Sequence, residues 1–197
     1  MAGLPLDNSY VMTLLNDDNV TQHEAGMLHV PSGYIVACDP ACGTEPAFRR
    51  TISPGLYRVV AGTVASAGEG TRVAYLVLWI KDAPIVHREP AYHAGGDTYR
   101  YWVDAGLGCF VDASLLSASL VAIRAAIDAQ DPIVLHGNWN YLNYKVGLGN
   151  LVMCRSGFGD GYYATYVGLD ALDKAVCFIT DFGVVGKDDE RADEDEC

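Results

Sequence analysis

The sequence predicts a mainly β protein of the α+β class, an antiparallel β-sandwich or curved sheet with one substantial helix near residues 114–130. Three observations predict it. Short runs rich in β-branched and aromatic residues recur along the chain, bounded by Gly, Pro and Asp. A helical apolar period is sustained only once. Glycine is abundant, at 21 residues, and much of it lies where one apolar run gives way to the next.

Taken in order, "NSYVMTLLND" (residues 8–17) reads as a short helix. "GMLHVPSGYIVACDP" (26–40) reads as two strands about the turn Pro31-Ser32-Gly33. "RRTISPGLYRVVAGTVAS" places a turn at Pro54-Gly55 and then a strand. "TRVAYLVLWI" (71–80) is almost continuously apolar, which predicts a central strand covered on both faces. "APIVHREPAYH" gives a shorter strand bounded by Pro84 and Pro90, and Tyr99–Val103 another. From Ser114 the period changes. Leu116, Leu120, Ile123 and Ile127 form a helical stripe, with Asp112 or Ser114 as the cap and Asp131-Pro132 as the stop. The remainder is β again: "IVLHGNWNYLN", "GNLVMCRS", "YYATYVGLD" and "AVCFITDFGVV". The last three are joined by short polar or glycine-containing segments, which predicts an antiparallel meander. No internal repeat or linker interrupts this pattern, so one domain is expected over residues 1–186, followed by a flexible acidic tail at 187–197.

Half of the 197 residues are apolar and 19% are charged, the balance of a folded chain. The net charge of −12 leaves no basic face to displace counterions, so binding to a nucleic-acid backbone is not expected. The tail "KDDERADEDEC" holds seven acidic residues against two basic ones, as either a solvated tail or an arm for a basic partner. The first residues lack the basic and apolar regions of a secretion signal, and no apolar run reaches membrane-spanning length. A cytoplasmic location with reduced thiols and no membrane contact is the expectation. Six cysteines show no paired zinc-finger spacing.

Two glycine-rich acidic loops carry the candidate chemistry. "VDAGLGCFVDA" holds Asp104, Cys109 and Asp112, and "SGFGDGYY" holds Ser156, Gly157, Gly159, Asp160, Gly161 and Tyr163. Glycines let a ligand approach backbone N–H groups. Asp39 in "VACDP" and Asp181 in "ITDFG" stand at or near strand ends. Convergence of Asp104, Asp112, Asp160 and Asp181 would supply a general acid and base, or ligands for a divalent metal ion. Alternatively Asp181 caps a neighbouring turn. Cys109, near a helix start, reads either as a nucleophile with a histidine base (His87, His93 or His136) or as a small buried residue. His136 and Trp139, in "HGNWNY", and Tyr163 are candidate pocket walls. Arg49 and Arg50 could meet a phosphate or carboxylate, or remain solvated.

The ordered set "VPSGYIVACDP", "GLYRVV", "RVAYLVL", "VDAGLGCFVDA", "GNLVMCRSGFGDGYYATYVGLD" and "VCFITDFGVV" resembles the bacterial and phage family called domain of unknown function 4241. The resemblance runs from about Leu28 to Val185. It implies a small cytoplasmic protein and places Gly33, Asp39, Asp104, Gly106, Cys109, Asp112, Ser156, Gly157, Asp160, Gly161, Asp170 and Asp181 in the family's motifs. Where the family pattern often has Trp, this chain has Phe158. No activity comes with the resemblance. The expectation drawn from the residues is an enzyme, most simply a hydrolase of a small polar or phosphorylated molecule such as a nucleotide. The alternative is a non-catalytic module that sequesters a small ligand or inhibits a basic protein partner, as an immunity or anti-defence factor would. The oligomeric state is left open.

Overall fold

The computed structural model describes residues 14–66, 70–131, 134 and 140–185. Eleven strands and one helix are named among them: β1 (Val20–Val30), β2 (Ile35–Cys38), β3 (Gly55–Ser66), β4 (Gly70–Trp79), β5 (His87–Pro90), β6 (Arg100–Val103), β7 (Leu107–Asp112), α1 (Leu116–Asp128), β8 (Tyr141–Val146), β9 (Gly149–Arg155), β10 (Gly161–Leu169) and β11 (Ala175–Asp181). All strand pairs are antiparallel, in two sheets. The large sheet runs β1-β3-β4-β11-β10, and β5 and β6 lie end to end along the far edge of β10. The small sheet runs β2-β7-β9-β8. Of the residues 8–17 expected to be helical, Leu14 and Leu15 are so, and residues 8–13 lie outside the described residues.

Period-2 alternation explains how the layers bury their side chains. Leu28 and Val30 of β1, Leu76 and Leu78 of β4, and Phe178 of β11 face Ile35 and Ala37 of β2, Phe110 of β7 and Val152 of β9 across the space between the sheets. Phe48 stacks on Phe178 at 4.6 Å and meets Tyr99 edge-on at 4.3 Å. Each such fully buried large side chain contributes roughly 1.5–3 kcal/mol. The outer face of the small sheet (Val36, Cys38, Cys109, Val111, Leu151, Met153) is covered by Ile123 and Ala126 of α1. The outer face of the large sheet packs Tyr75, Val77, Cys177 and Ile179 against Leu14. β4 is thus central and covered on both faces, as its apolar run requires.

Two expectations need correction. The helix buries Ser119, Ile123 and Ala126, not the whole Leu116/Leu120/Ile123/Ile127 stripe, whose other members are part-exposed. Leu116 and Ile127 of the stripe are half-buried and pack against the same cluster as Ile123 and Ala126. The expected meander also breaks. β10 and β11 form a hairpin, but β9 pairs with β7 and β8 and makes no ladder with β10. The segment between β9 and β10 crosses from one sheet to the other. So does the segment between β6 and β7, and so does the Pro31-Ser32-Gly33 turn between β1 and β2. Gly33 holds φ at 79°, and a Cβ there would lie 2.4 Å from the Ile52 carbonyl oxygen, so only glycine fits this crossing.

The seam between β1 and the small sheet is closed by side chains. His29 N–H donates to Asn150 Oδ1 at 2.9 Å, and Asn150 Nδ2 donates to Met27 O at 2.7 Å and to Asn143 Oδ1 at 2.6 Å. His23 stacks on Tyr141 across the same seam. These groups satisfy a sheet edge that would otherwise present unpaired backbone.

Candidate functional site

The two glycine-rich loops meet. β7 pairs with β9 starting from Leu107 opposite Arg155, and β6 pairs with β10 up to Val103 opposite Gly161. The 104–106 and 156–160 crossings must therefore run side by side at one end of the sandwich. Ser156 N–H donates to Gly106 O at 3.0 Å, and Gly106 N–H donates to Asp160 Oδ1 at 3.1 Å. Asp104 and Asp160 are both exposed on these adjoining loops.

Asp39 joins them from beneath. It is fully buried, and its Oδ2 accepts from the N–H groups of Asp104 (2.9 Å) and Ala105 (2.8 Å). Its Oδ1 accepts from Ala41 N–H at 2.8 Å. One carboxylate thus anchors the β6–β7 crossing to the end of β2, with its charge balanced by three backbone dipoles.

The β9–β10 loop is wound on itself. Ser156 Oγ and the Tyr163 hydroxyl both donate to Gly159 O, each at 2.8 Å. Gly157 has φ 37°, and a Cβ there would lie 2.6 Å from Phe182 O, so the loop sits directly on the chain leaving β11. Arg72 Nη1 donates to Gly157 O at 3.1 Å, and its guanidinium lies 4.7 Å from the Phe158 ring centre. Gly161 opens β10 opposite Val103.

The other candidates lie elsewhere or face inward. Asp112 stands at the far end of β7, about 17 Å from Leu107 at the usual strand rise. It is fully buried and caps the helical segment, accepting from Ser114 N–H (2.8 Å) and Ser32 N–H (2.9 Å) as well as both serine hydroxyls. The geometry therefore does not bring Asp104, Asp112, Asp160 and Asp181 into one constellation. Asp181 accepts from Gly183 N–H at 2.7 Å, closing the turn after β11. Cys109 is 2% exposed under α1, with its sulfur 3.6 Å from that of Cys38. That hydrogen bond and burial push the Cys38 thiol well up. His87 and His93 make their contacts with Asp173 and Asp97 instead. His136 and Trp139 lie outside the described residues. Arg50 pairs with Glu89 at 2.8 Å, and Arg49 lies over Tyr92. Among the described residues no three His, Cys, Asp or Glu side chains group closely enough to hold a metal ion.

Tyr163 is a wall of the core, not of a pocket: it meets Phe182 edge-on at 5.1 Å. Its neighbour Tyr162 points outward, 64% exposed, and packs edge-on against Trp102, 50% exposed, directly opposite on β6. Phe158 is 40% exposed at the loop tip. Sequence reasoning passed over Trp102, Tyr162 and Arg72. Alternation in "RYWV" and "GYYAT" separates the first two from Tyr101, Val103 and Tyr163, but only the structure shows that the latter are the inward positions.

No curated protein sequence and no solved structure matches the chain. One family model does, over residues 28–180, which takes in both crossing loops and both buried aspartates that hold the turns. The chain belongs to that family, described as "Protein of unknown function (DUF4241)".

Proposed function

We propose that the chain is a non-catalytic binding module, and that the end of the sandwich bearing the two crossing loops takes a basic protein partner. The observation that carries this reading is the exposed aromatic pair Trp102–Tyr162 on the strands that flank these loops, with Phe158 exposed on the loop itself. Exposed Trp and Tyr are the side chains most often found as anchors of protein interfaces, because they bury much area at little entropic cost. Asp104 and Asp160 beside them and a net charge of −12 favour a partner of opposite sign and speed its encounter. The hydrolase reading has less support. Asp39 and Asp112 already accept bonds from the backbone N–H groups that shape the fold.

The test is site-specific photo-cross-linking at Tyr162 and, as a remote control, at Leu172. A captured protein is then purified and titrated against Trp102→Ala and Asp160→Asn. The reading predicts capture at 162 and not at 172, with Trp102→Ala weakening binding at least about tenfold. Instead, turnover of a nucleotide or other small substrate that Asp160→Asn abolishes would restore the hydrolase.

A further inference from the structure

Behind the crossing loops lies a group of side chains that the binding reading does not use. Cys38 and Cys109 are register partners on β2 and β7, and their sulfurs are 3.6 Å apart. Ile35 O accepts from Phe48 N–H, and Ala37 uses its N–H and C=O on the Tyr99 hydroxyl. These two residues face away from β7, so Val36 and Cys38 are the ones that exchange hydrogen bonds with it. Such a pair has Cα atoms about 5.5 Å apart, within the roughly 4.4–6.8 Å that a disulfide spans. The sulfurs have to close from 3.6 Å to bonding distance, and the Cβ atoms of such a pair, about 5.5 Å apart, have to draw together with them.

A carboxyl group stands near Cys38. A Cβ placed on Gly43 would lie 2.5 Å from Cys38 Cβ and 2.7 Å from Glu45 Oε2, so the two atoms are no farther apart than those distances laid end to end. Glu45 Oε2 is buried with no hydrogen-bond partner. Burial pushes the Glu45 carboxyl above the usual range. The turn from Asp39 to Gly43, whose Ala41 and Cys42 are part-exposed, separates Cys38 from solvent on this side.

We infer that Cys38 and Cys109 form a redox-active pair that a hydroperoxide oxidises to an intrachain disulfide, with Glu45 as the proton carrier. One thiol gives its proton to the Glu45 carboxylate and its sulfur attacks the peroxide. The O–O bond breaks, leaving a sulfenic acid and, for hydrogen peroxide, one water. The second sulfur then attacks the sulfenic sulfur. The S–S bond forms and the S–O bond breaks, and the departing hydroxide takes up the proton that the second thiol gives up, becoming a second water. Two thiols lose two electrons in total and the peroxide gains them. This follows from the thiol geometry and does not rest on the partner-binding reading.

The experiment oxidises the full chain with hydrogen peroxide under native conditions, then digests it without reductant and maps the linked peptides by mass. The expected result is a peptide pair joining Cys38 to Cys109, lighter by two hydrogens, reversed by a dithiol reductant and absent in Cys109→Ser. Cys42→Ser should form the same link. Glu45→Gln should slow closure by about tenfold or more, with Glu45→Asp restoring part of the rate. A folded chain that oxidises at Cys42 or Cys154 without a Cys38–Cys109 link would overturn the inference, as would a link that forms only in denaturant. An unchanged closure rate in Glu45→Gln would remove Glu45 from it.

Discussion

At the scale of the residue, the carboxylates divide by what they touch. Asp39 and Asp112 are fully buried and accept bonds from the backbone of segments distant in sequence, whereas Asp104 and Asp160 are exposed. In Asp39→Ala the N–H groups of Ala41, Asp104 and Ala105 lose their acceptor, which should cost about 3 kcal/mol or more. Urea unfolding should show a lower midpoint with little change in slope, and Asp104→Asn should stay within about 0.5 kcal/mol of wild type. Asp170 gives a pH signature. Lys81 at its Oδ2, with Lys174 N–H at Oδ1, holds its carboxyl down from the usual 3.8 to about 2. The folded state therefore favours the ionised form. That contribution is present above about pH 4 and is lost as the pH falls through about 2. Between those values the thermal midpoint of Asp170→Asn should fall less steeply than that of wild type. Of the two buried carboxylates, the capping role of Asp112 was legible from sequence, whereas the role of Asp39 as the anchor of a distant crossing was not. A buried carboxylate that accepts backbone bonds and one that activates water are the same letter, and only the N–H groups around it tell them apart.

At the scale of the element, local pattern was informative wherever a single periodicity governs a segment. β4 is apolar throughout and is covered on both faces, and the 114–130 helix starts at the Asp112 cap and ends by Asp131. The buried face of that helix was less legible, because a packed face is set by the shape of the opposing sheet as well as by hydrophobicity. The seam between β1 and the small sheet could not be read at all. Its closing residues, Asn143 and Asn150, look like ordinary polar positions of a hairpin, yet Asn150 both donates to Met27 O and accepts from His29 N–H. Asn150→Ala should therefore raise the hydrogen-exchange rate of the His29 amide and its neighbours in β1, while amides of the β4–β11 ladder keep their protection. Equal loss of protection in both places would mean that the asparagine supports the whole fold and not the seam.

At the scale of the whole molecule, the fold class was legible and the division into sheets was not. Glycine-rich segments such as "SGFGDG" look like hairpin turns. Here the flanking strands have partners from far along the chain: Cys38 of β2 meets Cys109 of β7, 71 residues on. Those long-range pairings pull the ends of the loops into different sheets, which lays the two crossings side by side and leaves Trp102 and Tyr162 exposed next to them. The aromatic pair escaped the sequence reading for the same reason. Which of Tyr162 and Tyr163 faces outward depends on a strand phase that nothing in the local sequence fixes. The central claim is that this end of the molecule binds a protein partner through that pair. The most direct measurement is the affinity of the cross-linked and purified partner for wild type and for Trp102→Ala, by calorimetry. A Kd raised at least about tenfold by the substitution, with the thermal midpoint of the free variant unchanged, is the predicted result. An affinity equal to that of wild type would contradict it.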